Sequence, residues 1–316
     1  MDGQLVNWDD AKIHVLSHGL HYGYGAFEGV RAYPTSKGPA IFRLREHTQR
    51  LLNSAKILML DVPFTLDELC DATVQVVREN NMTNGAYIRP LVYLGYGEMG
   101  VNPLPAPVNV AIACWPWGAY LGDDGHNNGV RMKISSWHRH DPNAMPTAAK
   151  GTGMYLNSGL AKVEALKAGY DEAILLGPDG RLSECSGENL FIVRNGVIIT
   201  PPPSEAGALA GITQDSIVTL ANDLGYAFIE LSREIEKFAG CSIAEIQGLY
   251  GVNAYRRYER RALEEAIQIY PEAVIATPGG LVSDPATFNL LLSHCTTVWL
   301  QAEAEDHMKR VIAQGD

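Results

Sequence analysis

Residues 146–158 read PTAAKGTGMYLNS, and this stretch is the most informative one in the chain for both fold and chemistry. Lys150 lies in its loop of small residues, shortly before a helix that we predict from Tyr155 to Ala168. A lysine amine forms a Schiff base when it is desolvated or set beside another positive charge, and small neighbours leave room for a planar cofactor. The alternative is a solvated loop lysine, because most lysines in proteins are exposed.

Strands and helices flank this loop on both sides. Residues 26–44 form two β-rich runs about a turn, which predicts a hairpin. Thr65 and Glu68 make a capping box, so a helix is expected to follow them. Up to residue 224 the other predictions are helices over 45–58 and 213–224, strands over 86–94, 109–115, 132–137 and 172–176, and a hairpin over 190–200 about Asn195-Gly196. Beyond it we predict a second capping box at Ser242 and Glu245, a helix over 255–269, and strands over 273–277 and 296–300 on either side of a helix over 286–293. The helix of residues 155–168 carries large apolar side chains on one face: Leu156, Leu160, Val163 and Leu166.

Two motifs carry charged groups that suit a phosphorylated, cationic ring. Glu184 and Glu188 lie in a turn between two strands, where a carboxylate could pair with a cationic ring nitrogen. Arg45 and Arg50 lie at the start of the predicted helix over 45–58, and either could bind phosphate bidentately. An acidic surface turn and a solvated helix face remain the alternatives.

A third motif concerns phosphate binding at a helix start. Gly211 precedes Thr213, and the free N–H groups and hydroxyl at such a start suit a phosphate, although an ordinary N-cap looks the same in sequence. The GYGEMG text of residues 95–100 fits a dinucleotide-binding motif, but a proline-rich stretch follows it instead of the required helix. No GxxxxGK[ST] motif occurs in the chain.

Composition excludes several classes of protein. The chain has 316 residues and a net charge of −11, which argues against non-specific nucleic-acid binding. No apolar run is long enough to cross a bilayer, and no secretory signal is recognisable at the N-terminus, so no membrane partner is expected. The five cysteines include no CxxC pair, which predicts reduced thiols in a cytoplasm, and no histidine arrangement predicts a metal site.

Taken in order, six segments resemble the fold-type IV pyridoxal-phosphate aminotransferases, and most closely the branched-chain amino acid aminotransferases. The segments are HYGYGAFEGVRAY (21–33), FRLREHTQRLLNSAKI (42–57), AYIRPLVYLGYGEMGVNP (86–103), SSWHRHDPNAMPTAAKGTGMYLNS (135–158), GYDEAILLGPDGRLSECSGENLFIV (169–193) and LAGITQDS (209–216). The resemblance covers about residues 1–226. It implies an α+β fold with a small α/β domain over 1–120 and a larger mixed β-domain over 121–226, whose C-terminal part is missing.

The resemblance also implies roles for individual residues. Lys150 matches the catalytic lysine that holds pyridoxal 5'-phosphate as a Schiff base and shuttles the α-proton. Glu184 matches the carboxylate that pairs with the pyridine nitrogen. The remaining matches to the cofactor shell are Arg50 and the helix start of Ile212 and Thr213 at the phosphate, and Tyr155 beside the phenolic oxygen. The matches to the residues around the substrate side chain and carboxylate are Tyr22, Phe27, Gly29, Tyr87 and Arg89.

The implied reaction is transamination between a branched-chain L-amino acid (Leu, Ile or Val) and 2-oxoglutarate. A homodimer or higher homo-oligomer is expected, as in that family. D-amino acid transamination and aminodeoxychorismate lyase chemistry remain alternatives on the same fold.

The chain departs from that family after about residue 226. The family's glycine–threonine–alanine loop is not found, and residues 227–316 resemble the interior of a shikimate kinase, most closely the kinase-like effector domain of benzoate-pathway regulators. Arg256 would match the arginine that binds the shikimate carboxylate. The segment lacks a phosphate-binding loop and is expected to be an α/β fragment without kinase activity. A junction near 224–230 therefore leaves a non-catalytic chimera or a ligand-sensing remnant as the alternative function.

Overall fold

The computed structural model describes residues 1–118, 128–194, 197–223, 227–269, 273–276, 281 and 284–295. The chain forms two compact units. Unit 1 comprises Met1–Leu190 and Pro202–Ile217, and unit 2 comprises Phe191–Pro201 and Val218–Asp316. All residues that the sequence assigns to the aminotransferase site lie in unit 1.

A five-stranded antiparallel sheet forms the first layer of unit 1. Its strands are β1 (Gly25–Phe27), β2 (Val30–Tyr33), β3 (Ala40–Ile41), β4 (Ala86–Leu94) and β5 (Val108–Trp115), in the order β1-β4-β2-β3 with β5 paired to β4. The hairpin predicted over residues 26–44 is present as the β2–β3 pair. The central strand β4 alternates buried and half-buried residues along its first half, as expected of a strand with one face on the core.

Three helices contact this sheet: α1 (His18–Tyr22), α2 (Leu44–Ile57) and α3 (Leu66–Glu79). Two of them, α2 and α3, contribute to its core. The capping box predicted at Thr65 is confirmed, because its side chain accepts from the Glu68 N–H and the Glu68 carboxylate accepts from the Thr65 N–H. Leu51 and Ala55 of α2 pack with Leu69 of α3 and Val92 of β4. The core thus fixes α2, and with it Arg50, against the sheet.

A second, three-stranded sheet carries the loop of Lys150. Strands β6 (Met132–His138) and β7 (Glu172–Leu176) are parallel, and β8 (Leu182–Cys185) is antiparallel to β7. Helix α4 (Tyr155–Lys167) follows the loop and connects β6 to β7, and it packs on both strands. The short helix α5 (Pro203–Ala206) and helix α6 (Ile212–Asp223) come later in the chain.

Helix α4 has the predicted apolar face, but the helix buries a different face. Leu156, Leu160, Val163 and Leu166 are between 38% and 71% exposed. The buried face consists instead of Asn157, Ser158, Ala161 and Ala165. Small side chains allow the helix backbone to come close to the sheet, which a row of leucines would prevent.

Unit 2 has its own core. Strands β9 (Ile192–Arg194) and β10 (Val197–Ile199) form the hairpin predicted over 190–200, whose Asn195-Gly196 turn lies outside the described residues. Strands β11 (Ala227–Glu230) and β12 (Ala273–Ala276) are parallel, and sequence reasoning missed β11. The helices are α7 (Leu231–Ala239), α8 (Ile243–Glu245), α9 (Gly251–Ile269) and α10 (Pro285–His294). Leu231, Ile235, Ile246 and Leu263 are fully buried at its centre.

The second capping box, predicted at Ser242 and Glu245, is also confirmed. The strand predicted over 296–300 lies outside the described residues. The division into two units does not test the three predicted domain ranges, 1–120, 121–226 and 227–316, which stay a prediction. Within the described part of the chain, no helix is long and apolar enough to cross a membrane.

Candidate active site

The backbone N–H and carbonyl of Lys150 are both hydrogen-bonded, and its side-chain amine binds a tyrosine. Its N–H donates to Ser54 Oγ at 2.9 Å, and its carbonyl accepts from the Phe27 N–H at 3.1 Å. The Lys150 Nζ donates to the Tyr155 hydroxyl at 2.7 Å, because α4 begins at Tyr155 and turns that side chain back over the loop. The amine also lies 5.2 Å from the centroid of the Phe27 ring. The lysine that sequence reasoning singled out is therefore partly buried and aimed at two aromatic side chains.

A buried carboxylate forms one end of the site. Glu184, on β8, pairs with Arg139 through an Nη2–Oε1 distance of 2.8 Å, and its Oε2 accepts from the Leu209 N–H at 3.1 Å. The side chains of Arg139 and Glu184 are only 7% and 9% exposed. Burial raises the pKa of Glu184, and the positive charge of Arg139 opposes that rise. The carboxylate is thus desolvated, and among the described residues Arg139 is its ion-pair partner.

Arg50, on α2, belongs to a second buried ion pair. Arg50 Nε and Nη2 donate to the two carboxylate oxygens of Glu28 at 2.6 and 2.8 Å. His47, one turn earlier on the same helix, lies 2.8 Å from Glu28 through Nδ1. Burial alone would raise the pKa of Glu28, but the hydrogen bonds from Arg50 and His47 and the charges of Arg50 and Lys150 lower it overall. Glu28 is therefore held as an anion although it is fully buried.

A three-residue loop, 209–211, connects the two ion pairs. The Leu209 N–H binds Glu184, and the Ala210 carbonyl accepts from Arg50 Nη1 at 2.7 Å. Asn189 Nδ2 donates to the Leu209 carbonyl at 2.8 Å. Gly211 is required next to this contact, because a Cβ there would collide with Asn189 Oδ1. The loop therefore sets the spacing between Arg50 and Glu184.

Helix α6 starts directly after this loop, at Ile212. Ile212 is buried and Thr213 is exposed. Arg43, which precedes α2, donates to the Ile212 carbonyl, to Asp215 and to Ser216, and so ties the first turn of α6 to α2. The structure thus brings the predicted phosphate helix start and Arg50 to the same loop.

The side chains predicted to surround the substrate form an aromatic group about Arg89. The Phe27 and Tyr155 rings lie 4.7 Å apart, edge to face. Arg89 Nη2 donates to the Tyr87 hydroxyl at 2.7 Å, and its guanidinium lies 4.7 Å from the centroid of the Phe27 ring. A Cβ on Gly29 would collide with that hydroxyl. Within the described part of the chain, the buried Arg89 Nε has no hydrogen-bond partner.

Three residues considered from sequence lie elsewhere. Tyr22 is exposed, with its ring 4.6 Å from that of His18, and it makes no recorded contact with the aromatic group about Arg89. Arg45 is exposed and pairs with Asp67. Glu188 lies near Glu172, and burial with the repulsion of that neighbouring carboxylate raises its pKa. Across the described residues, no group of three His, Cys, Asp or Glu side chains is arranged to hold a metal ion.

Sequence reasoning missed several residues of the site: Glu28, Arg43, His47, Arg139 and Asn189. Glu28 and His47 gave no signal of their own in the sequence, because only the fold shows that Glu28 contacts both Arg50 and His47. In unit 2, Arg256 forms an ion pair with the fully buried Glu259 at 2.7 Å.

Comparison with protein families and known proteins identifies the family of the chain. Residues 25–258 match the family model described as Amino-transferase class IV, and residues 217–316 match that described as Shikimate kinase. The branched-chain-amino-acid aminotransferase of Salmonella typhimurium is 48% identical over 268 residues, which cover 82% of this chain and 86% of that protein.

Solved structures are similar as well. The crystal structure of Escherichia coli branched-chain amino acid aminotransferase superposes with a TM-score of 0.68 at 51% identity, over 71% of this chain and 73% of that one. The structure of the Thermobaculum terrenum enzyme in its PLP-form has a TM-score of 0.65 at 32% identity, over 71% and 72% of the two chains. Because this family model matches residues 25–258, most of the chain, this chain belongs to the class IV aminotransferases.

Proposed function

We propose that the chain transfers the amino group of branched-chain L-amino acids (Leu, Ile and Val) to 2-oxoglutarate, with pyridoxal 5'-phosphate as cofactor and Lys150 as the catalytic lysine. One observation carries this proposal. The Lys150 amine rests on the Tyr155 hydroxyl, and its charge acts on both Glu28 and Glu184, one in each of the two ion pairs. Relatives that share about half of the sequence are named as branched-chain aminotransferases.

The residues fit that cofactor. Arg50, Ile212 and Thr213 would hold the phosphate, Glu184 the ring nitrogen and Tyr155 the phenolic oxygen. When bound, pyridoxal phosphate supplies an aldehyde that condenses with amines and a cationic ring that withdraws electrons. The donor set matches the group at each end, because a guanidinium and a helix start suit a phosphate while a buried carboxylate suits a protonated ring nitrogen.

The chain's own residues then have distinct tasks. Lys150 Nζ takes up and returns the proton that is moved at the substrate α-carbon, which is the role of a general base whose position is fixed. The Tyr155 hydroxyl holds that amine in place, at 2.7 Å. Glu184 would pair with the protonated ring nitrogen, and the charge of Arg139 opposes the rise in the pKa of Glu184 that burial causes.

Phe27, Gly29, Tyr87 and Arg89 would surround the substrate, whereas Tyr22 lies apart from this group. An aromatic wall suits aliphatic side chains, and one methylene in such a pocket discriminates by only about 1–3 kcal/mol, so several aliphatic amino acids should be accepted. Arg89 forms no ion pair within the described part of the chain, which suits the second carboxylate of 2-oxoglutarate.

We further propose a cytoplasmic homodimer, or a higher homo-oligomer, without nucleic acid or membrane as partners. The N-terminal segment supports self-association, since Leu5, Trp8, Val15 and Leu20 are exposed on it. The cysteines of the described residues are all free thiols, as expected in a reducing compartment. The domain ranges 1–120, 121–226 and 227–316 complete this proposal.

The visible spectrum of the purified chain tests the function. After incubation with pyridoxal phosphate, we expect a yellow band that bleaches on addition of L-leucine. Lys150→Ala should abolish both the band and the turnover, whereas Lys167→Ala, at the end of α4, should keep them. A wild-type chain that stays colourless, or one that turns over D-alanine but not L-leucine, would overturn the proposal.

A further inference from the structure

Glu28 lies between β1 and β2 and is fully buried, yet among the described residues its carboxylate makes no hydrogen bond or ion pair with Lys150 or Arg89. Its two oxygens instead accept the Nε and Nη2 hydrogens of Arg50, and one of them also contacts His47. Its own backbone N–H donates to the Pro90 carbonyl at 2.9 Å, which fixes the residue to β4. The carboxylate thus connects the central sheet to α2.

Such a buried pair is a poor source of stability. Desolvation of two charges offsets most of their attraction, and apolar replacements of similar volume are often as stable. Its geometry, however, is specific. A bidentate carboxylate fixes both the direction and the plane of a guanidinium, which a single hydrogen bond does not.

The partners of Arg50 show which of its N–H groups remain available when the plane of the guanidinium is fixed. Of the five N–H groups of the guanidinium, Nε and one on Nη2 bind Glu28, and one on Nη1 binds the Ala210 carbonyl. Within the described residues, this leaves one N–H on each terminal nitrogen. One of these two donors is on Nη1, the nitrogen that contacts the loop leading to α6.

We propose that Glu28 is a positioning residue for phosphate: it holds Arg50 in the one orientation that directs its two remaining N–H groups to the phosphate of the cofactor. The inference rests on the proposed function, because the phosphate is that of pyridoxal phosphate.

Electrostatics alone predicts the opposite effect. A carboxylate next to Arg50 lowers the positive potential that attracts a phosphate dianion, so its removal would strengthen binding if charge decided the affinity. If orientation decides, its removal weakens binding. The sign of the change therefore separates the two accounts.

The experiment measures the dissociation constants of pyridoxal phosphate and of pyridoxal, which lacks the phosphate, for the apoprotein by fluorescence quenching. For Glu28→Gln we expect binding of pyridoxal phosphate to weaken about 10-fold or more, the loss typical of a hydrogen bond to a charged group. Binding of pyridoxal should change by less than about 2-fold, a difference too small to reflect a lost hydrogen bond. In an Arg50→Lys background, the same substitution should have almost no further effect, because lysine offers no fork to orient.

Glu172→Gln is the matched control. Glu172 is equally buried and pairs with Lys162, but it has no recorded contact with Arg50 or Lys150. It should lower the melting temperature without changing the ratio of the two dissociation constants. If Glu28→Gln does not fold, Glu28→Asp is measured instead, because its shorter side chain keeps the charge but cannot reach both nitrogens.

Tighter or unchanged binding of pyridoxal phosphate by the Glu28 variants would overturn the inference, and so would an equal loss for pyridoxal. Failure of the proposed function gives a different result, because the wild-type chain would then show no yellow band with either compound.

Discussion

The two ends of the proposed cofactor site contain the same kind of ion pair, with the roles of the two residue types exchanged. At one end Arg50 would bind the phosphate, and the fully buried Glu28 pairs with Arg50. At the other end Glu184 would bind the ring nitrogen, and the buried Arg139 pairs with Glu184. A phosphate needs a cation and a ring nitrogen needs an anion, so the same two residue types serve both ends.

The difference between the ends lies in how many donors reach each carboxylate. Glu28 receives two N–H groups of Arg50 and contacts His47, and its pKa is lowered. Glu184 receives one nitrogen of Arg139 and one backbone N–H, and burial raises its pKa. Hydrogen bonds to the charged form therefore outweigh desolvation at the first end and fail to do so at the second.

Among the substitutions that test this comparison, we expect Arg139→Met to have the largest effect. The substitution leaves Glu184 buried without a cation, and breaking a buried pair in this way costs about 3–5 kcal/mol. Glu184 should then bind a proton at neutral pH. We expect the kcat for L-leucine to fall about 100-fold, as when one positioned proton-transfer group is lost. Arg181→Met, at an exposed turn, is the control and should leave kcat unchanged.

A smaller effect is expected when the distance between the two ends is changed. In Gly211→Ala, the new Cβ meets Asn189 and displaces its bond to the Leu209 carbonyl, which should destabilise the apoprotein by about 1–3 kcal/mol. Binding of pyridoxal phosphate and of pyridoxal should both weaken, since the loop contacts Arg50 and Glu184 alike. Gly187→Ala has open space and serves as control in calorimetry. A variant with wild-type affinities would show that the loop does not set the spacing.

Gly29→Ala tests whether the substrate side is independent of both pairs. Gly29 is next to Glu28 in sequence, but its new Cβ would meet the Tyr87 hydroxyl, the partner of Arg89. We expect the KM for 2-oxoglutarate to rise about 10-fold, the equivalent of about 1.4 kcal/mol. The dissociation constant of pyridoxal phosphate should not change. A loss of cofactor affinity as large as the KM effect would contradict this separation.

The smallest expected effect is the pH dependence of the free energy of unfolding, to which Glu28 and Glu184 contribute with opposite signs. Because the pKa of Glu28 is lowered on folding, its stabilisation is present above the ordinary value of 4.5 and is lost as pH falls through the lowered value. The pKa of Glu184 is raised, so its contribution is favourable at low pH and is lost as pH rises from 4.5 through the raised value.

Urea unfolding of the apoprotein between about pH 3 and 7 measures this linkage, whose slope is at most about 1.4 kcal/mol per pH unit for each group. The stability of wild type relative to Glu28→Gln should rise with pH, and that relative to Glu184→Gln should fall. Slopes of the same sign for both variants would show that the two carboxylates do not differ as described.

Much of unit 1 could be predicted from sequence because its signals are local. The capping box at Thr65, the strand over 86–94 and the helix over 155–168 depend on neighbours within a few residues. The face of α4 could not be predicted in this way. Its leucines satisfy a helical period, but the close packing of Ala161 and Ala165 against β7 decides which face is buried.

The same distinction holds for the site. Lys150, Glu184 and Arg50 could be chosen from sequence because each lies in a motif whose residue types already suggest its chemistry. Glu28 and Arg139 could not be chosen in this way, because the sequence does not distinguish a buried glutamate or arginine from an exposed one. Residue types and their order determined which chemistry the chain offers. The fold alone decided which residues would be desolvated together, because burial and hydrogen-bond partners across 22 to 160 residues exist only in the tertiary structure.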